Sequence, residues 1–163
     1  MNQTDFDLRI LMVCLGNICR SPMADGLLRK KVKEHNLNVH VDSAGTANYH
    51  VGSAPDKRMI ETARSRGVNI DFLKARQFSS NDFFDYDIIY VMDKSNLENV
   101  LKLSQNNLEN QKVKLILNEL YPNQNKHVPD PYYGTSEDFM AVYDLLDNVT
   151  DVIIQKIKDG TIR

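Results

Sequence analysis

The eight residues Cys14-Leu15-Gly16-Asn17-Ile18-Cys19-Arg20-Ser21 set a cysteine and an arginine six positions apart, after an apolar run and before a proline. Holding an oxyanion beside a nucleophile asks for that combination. If the run is a strand and Ser21-Pro22 opens a helix, free loop amides and the helix dipole converge on negative charge. Gly16 permits a positive φ and Asn17 tolerates one, so the backbone can curl its N–H groups inward. Leu15 to Ser21 then form a phosphate-binding segment in which Arg20 holds two oxygens with its planar fork. The same positive surroundings favour the thiolate of Cys14. A thiolate beside bound phosphate can attack phosphorus in line and form a phosphocysteine. The Ser21 hydroxyl can steady that sulfur by a hydrogen bond, as nucleophile and as leaving group. Singly these residues are ordinary: a cysteine after a strand is usually a small buried hydrophobe, and arginine or serine can simply cap a helix. The joint pattern points to phosphoryl chemistry.

Breaking an ester of a poor leaving group also needs a proton donor. Asp130, in Pro129-Asp130-Pro131-Tyr132-Tyr133-Gly134, is the candidate, because prolines on both sides restrict the backbone that carries it. Tyr132 and Tyr133 can wall a substrate ring; the bland alternative is a rigid surface turn with half-buried tyrosines. A nucleotide-binding G-x4-G-K-[ST] string does not occur. The two cysteines and the scattered His35, His40, His50 and His127 lack metal-ligand spacing, so no metal is expected.

Strands and helices must bring these segments together. Leu8 to Val13 is nearly all apolar, as in a parallel strand buried on both faces. Asn38 to Asp42 alternates like a strand and leads into a turn, Ser43-Ala44-Gly45. Pro55 to Arg66 has helical spacing, with Gly67 as its stop. Asp87 to Met92 and Val113 to Leu117 read as further strands, and Lys94 to Leu103 as a helix. The spacing of Phe139, Val142, Leu146, Val149 and Ile153 predicts a helix over about 137–158 with one stripe on the sheet. Alternating strands and helices imply an α/β layer fold with a parallel sheet, in which ligands bind beyond the carboxyl ends of strands where the strand order reverses.

The 163 residues suit one domain, 1–163, and a formal net charge of -2 gives no case for a nucleic-acid partner. Arg29-Lys30-Lys31 reads as a solvated helix face. Met1 to Asp7 is polar and acidic, unlike a signal or transit peptide, and no apolar run is long enough for a membrane. Two cysteines cannot build a disulfide framework, so a reducing, cytoplasmic setting is expected.

The cysteine loop together with Asp130-Pro131-Tyr132-Tyr133-Gly134 resembles the low-molecular-weight protein tyrosine phosphatases. Asp42-Ser43-Ala44-Gly45-Thr46, Lys74-Ala75-Arg76-Gln77 and Met92-Asp93-Lys94-Ser95-Asn96 add supporting matches. The resemblance implies a three-layer fold with a four-stranded parallel sheet of order 2-1-3-4 flanked by helices. It implies hydrolysis of phosphotyrosine in proteins, peptides and small aryl phosphates, without a cofactor, by a monomer or weak dimer. Cys14 would be nucleophile, Arg20 the clamp and Asp130 the acid. Asn17 would shape the loop through a network reaching Ser21 and Ser43, and Tyr49, Tyr132 and Tyr133 would surround the cleft. Cys19 would protect an oxidised Cys14 as a disulfide. Leu73 departs from the family, which often has a histidine there supporting the loop asparagine; a looser loop rather than lost activity is expected. Three alternatives share this fold or loop. Thioredoxin-coupled arsenate reductases need cysteines beyond Cys19, which this chain lacks. Phosphoarginine phosphatases carry threonine where this loop has Ile18. A phosphate-binding module without turnover would need neither Cys14 nor Asp130.

Overall fold

The computed structural model describes residues 5–163; the first four residues of the N-terminal reading lie outside the described residues. Strand β1 (Leu8–Cys14) and helix α1 (Arg20–Glu34) are followed by β2 (Val39–Gly45) and α2 (Lys57–Ser65). Then come α3 (Asp82–Asp85), β3 (Ile88–Val91), α4 (Lys94–Leu101), α5 (Asn107–Lys112) and β4 (Val113–Leu115). One turn of 3-10 helix (Ile116–Glu119) precedes the long α6 (Ser136–Lys158). The strands form one parallel sheet of order β2-β1-β3-β4.

The apolar run of β1 is explained by its central position. Ile10 and Met12 face the core built with α1, α2 and α6, while Leu11 and Val13 face the core beneath α4. The predicted stripe of α6 is wholly buried, so Leu146→Ala there would cost about 2–5 kcal/mol. Thr135 and Asp138 form a capping box that starts this helix. The basic run on α1 is not simply solvated. Lys31 Nζ bonds Asp147 at 2.7 Å and Asp151 at 2.9 Å, tying α1 to α6, and Arg29 pairs with buried Asp25.

Several boundaries differ from the sequence reading. Ser43-Ala44-Gly45 is the end of β2, not a turn: Met12, Val13 and Cys14 pair with these three residues in register. Helix α1 begins at Arg20 rather than Ser21-Pro22; Pro22 still lies in the first turn, where its missing N–H has no intrahelical acceptor to lose. Helix α2 starts after Asp56, whose side chain accepts from the Arg58 amide, two residues later than expected. Gly67 does end that segment, at φ +79°. The last strand stops at Leu115, where the chain tightens into the 3-10 turn.

Candidate active site

The strand order reverses at β1, with β2 on one side and β3 on the other, so the loop after β1 leaves the sheet at the switch point. Cys14 ends β1 and Arg20 begins α1, leaving five residues to make the turn. Among the described residues, no acceptor takes the amide N–H groups of Leu15, Gly16, Asn17, Ile18 or Cys19. Five consecutive unspent donors at a helix N-terminus form an anion-binding concavity.

The loop's shape comes from one left-handed residue. Of the two residues that could take a positive φ, Asn17 does, at φ 58°, and Gly16 does not. Gly16 is small for a different reason: a Cβ there would stand 3.1 Å from His50 Cδ2, tighter than ordinary contact. Asn17 is buried and uses both ends of its amide. Its Nδ2 donates to Ser21 Oγ at 2.8 Å, and its Oδ1 accepts the backbone N–H of Arg76 at 3.0 Å. Ser21 Oγ lies 3.0 Å from Cys14 Sγ and 3.4 Å from the Ala44 carbonyl. The implied link to Ser43 is thus displaced by one residue. Ser43 is buried and favours the ionised form of Asp25 on α1, a carboxyl that burial pushes up to about 6.

Leu73 is buried in the core, and Asn17 takes its donor from Arg76, 59 residues along the chain. A main-chain amide supplies the donor that Leu73 cannot. Arg76 is fixed in turn: its guanidinium bonds Asp82 through two nitrogens at 3.0 and 3.1 Å and Asp42 at 3.2 Å. Its carbonyl accepts from Gly45, so residues 76–78 lie along the end of β2.

Arg20 is 3% exposed and is aimed by two partners that sequence reasoning did not assign to it. Asp93 Oδ2 accepts from its Nη1 at 2.6 Å, and the Val128 carbonyl accepts at 3.1 Å. Asp93 follows β3 and caps α4 through the Asn96 amide, which aims its carboxylate across the switch point. Burial alone would raise Asp93, but bonds from Arg20 and the Asn96 amide outweigh it and hold the carboxyl below its ordinary range. Burial likewise disfavours the charge on Arg20, yet Cys14 and Asp93 together hold the guanidinium above its usual value. Cys19 behaves oppositely: burial first, then Asp56, pushes its thiol far up, so it is a neutral thiol. Both cysteines are unpaired and buried.

One cleft of ≈ 320 Å³ gathers Cys14, Arg20, Asp130, Tyr49, Tyr132 and Tyr133, with Leu15, Gly16, Ile18 and Cys19 also on its walls. Asp130 Oδ2 stands 3.7 Å from Arg20 Nη2, and its other oxygen accepts the Tyr132 amide at 3.1 Å. Tyr132 and Tyr133 meet edge to face at 4.9 Å, and the Arg58 guanidinium lies over the Tyr132 ring. His50 lines the same cleft and was missed; its adjacency to Tyr49 was the only signal. Among the described residues, no cluster of histidine, cysteine or carboxylate side chains could hold a metal ion, and no helix is long and apolar enough to cross a membrane.

A parallel sheet with a cysteine–arginine loop at its switch point and a carboxylate across the cleft defines the class of cysteine-dependent phosphatases. Within that class, the family described as low molecular weight phosphotyrosine protein phosphatase matches residues 9–161, and the chain belongs to it. The low molecular weight phosphotyrosine protein phosphatase of Sus scrofa is 38% identical over 152 residues, covering 91% of this chain and 95% of its own. The protein of the same name from Homo sapiens is 40% identical over 137 residues, covering 82% and 85%. The crystal structure of a protein tyrosine phosphatase from Entamoeba histolytica, with Hepes in its active site, superposes with a TM-score of 0.88 at 35% identity, covering 96% of this chain and 100% of that one.

Proposed function

We propose that the protein hydrolyses phosphotyrosine in proteins and peptides through a phosphocysteine. The observation that carries this is the run of unspent amides between Cys14 and Arg20, closed by the Ser21–Cys14 contact at 3.0 Å. The amides and Arg20 hold the non-bridging phosphate oxygens. The Cys14 thiolate attacks phosphorus in line, the bond to the tyrosine oxygen breaks, and Asp130 gives its proton to the departing phenolate. Water then attacks the phosphocysteine, Asp130 takes a proton back, and the thiolate leaves with the Ser21 hydroxyl beside it. The cleft between Tyr49, Tyr132 and Tyr133 suits a flat aromatic group, and Ile18 on its wall suits a ring better than a guanidinium. In this reading it works as a monomer or weak dimer in a reducing cytoplasm.

A p-nitrophenyl phosphate assay on wild type and Cys14→Ser tests the reading. The variant loses turnover by ~10⁴-fold or more while still binding inorganic phosphate or vanadate. Aryl phosphatase activity retained in Cys14→Ser would remove the nucleophile assignment; a wild type that binds oxyanion without turnover would favour a binding module.

A further inference from the structure

A second groove, of ≈ 480 Å³, lies on the far side of Leu15 and Tyr49 from the catalytic cleft. Those two residues line both hollows, so a wall one side chain thick separates them. The rest of the groove comes from loops after β2 and from the end of α4. Buried Phe78 and half-exposed Leu103 give it an apolar part, and the carboxamides of Asn48, Gln77 and Asn99 give it donors and acceptors. The Thr46 carbonyl, also at its edge, accepts from Gln77 Nε2 at 3.2 Å. Lys102 is the one charged residue among the described lining. Its ammonium leans on Asn99 Oδ1 at 3.4 Å and has no carboxylate within salt-bridge distance among the described residues.

These features match one occupant. Carboxamides pair with the alternating N–H and C=O groups of an extended peptide, and an unneutralised lysine pairs with a carboxylate. An extended chain advances about 3.3 Å per residue, so a segment entering from the catalytic cleft reaches this groove within its first few residues. We infer that the groove is a subsite for the peptide flanking the phosphotyrosine, and that Lys102 makes it select an acidic side chain on that flank. The inference rests on the tyrosine-phosphatase reading and deepens it from chemistry to substrate choice.

The test uses phosphotyrosine peptides on a neutral host, carrying a single aspartate or lysine at each of the first three positions on either side. Wild type and Lys102→Glu are compared, with p-nitrophenyl phosphate as a substrate too small to reach the groove. Wild type should favour aspartate over lysine about two- to fivefold in kcat/KM on one flank, the range of an exposed ion pair, and less so in raised salt. Lys102→Glu should invert that preference and leave p-nitrophenyl phosphate turnover unchanged. Equal rates for aspartate and lysine at all positions, or a preference that survives Lys102→Glu, would overturn the subsite. Loss of wild-type turnover on the small ester would instead overturn the phosphatase reading, so the two failures are distinct.

Discussion

The two walls of the cleft are built to different standards. On the loop wall Asn17, Arg20 and Ser21 are buried, and each is bonded to a residue on another element. On the opposite wall the side chains are open: Asp130 is 45% exposed and Tyr133 96%. Asp130 is held by a contact within its own turn and a long approach to Arg20. The phosphate is the same in every substrate, whereas the leaving group and its surroundings vary. The rigid wall therefore faces the constant part of the substrate and the open wall faces the variable part. Preorganised donors save reorganisation during the reaction, while an exposed acid and ring can adapt.

Substitutions on each wall can break that contrast. The largest effect is expected from Arg20→Lys, which keeps the charge but loses the fork shared between phosphate and Asp93. Turnover should fall by roughly 10³-fold in a protein that still folds, as checked by circular dichroism, since charge stabilisation of a transferring phosphoryl group is worth that much. Near wild-type kcat would reduce Arg20 to a helix cap.

On the open wall, Asp130→Asn should lower kcat by about 10²-fold for phenyl phosphate, whose leaving group needs a proton. The loss should be much smaller for p-nitrophenyl phosphate, and an equal loss for both would make Asp130 structural.

Redox chemistry probes the rigid wall again. Peroxide should convert the Cys14 thiolate to a sulfenic acid, and the Cys19 thiol should then displace water to form a disulfide that dithiothreitol reduces. Wild type should recover most activity after this cycle and Cys19→Ser only a small part, and equal recovery would exclude Cys19. The smallest effect belongs to Tyr133→Ala, which should raise KM for phosphotyrosine about two- to fivefold with kcat unchanged. A larger loss in kcat would mean that the open wall is as ordered as the loop.

The rigid wall was legible in the sequence because its chemistry is contiguous: Cys14 to Ser21 carries nucleophile, amides and clamp in eight residues. Its supports were not, since they come from far along the chain. Asp93 is 73 residues from Arg20 and Val128 is 108, and only the sheet order brings them together. The long periodic elements, β1 and α6, were readable from their spacing. Helices α3 and α5, of 4 and 6 residues, are too short to show a period and went unread. The end of β2 misled for a different reason. Serine and glycine favour turns locally, but pairing with Met12 to Cys14 imposed extended backbone.

The Arg76 amide that holds Asn17 has a consequence for acidity. An imidazole in that supporting role would gain a proton near pH 6.5 and change its hydrogen-bonding state within the physiological range. A peptide N–H carries no such titration, and the guanidinium behind it stays charged, because Asp82 and Asp42 more than offset the effect of burial. This support of Asn17 is therefore indifferent to pH where a histidine would respond. An acid or alkaline limb in the rate must arise elsewhere, in the groups that meet the substrate or in buried Asp25.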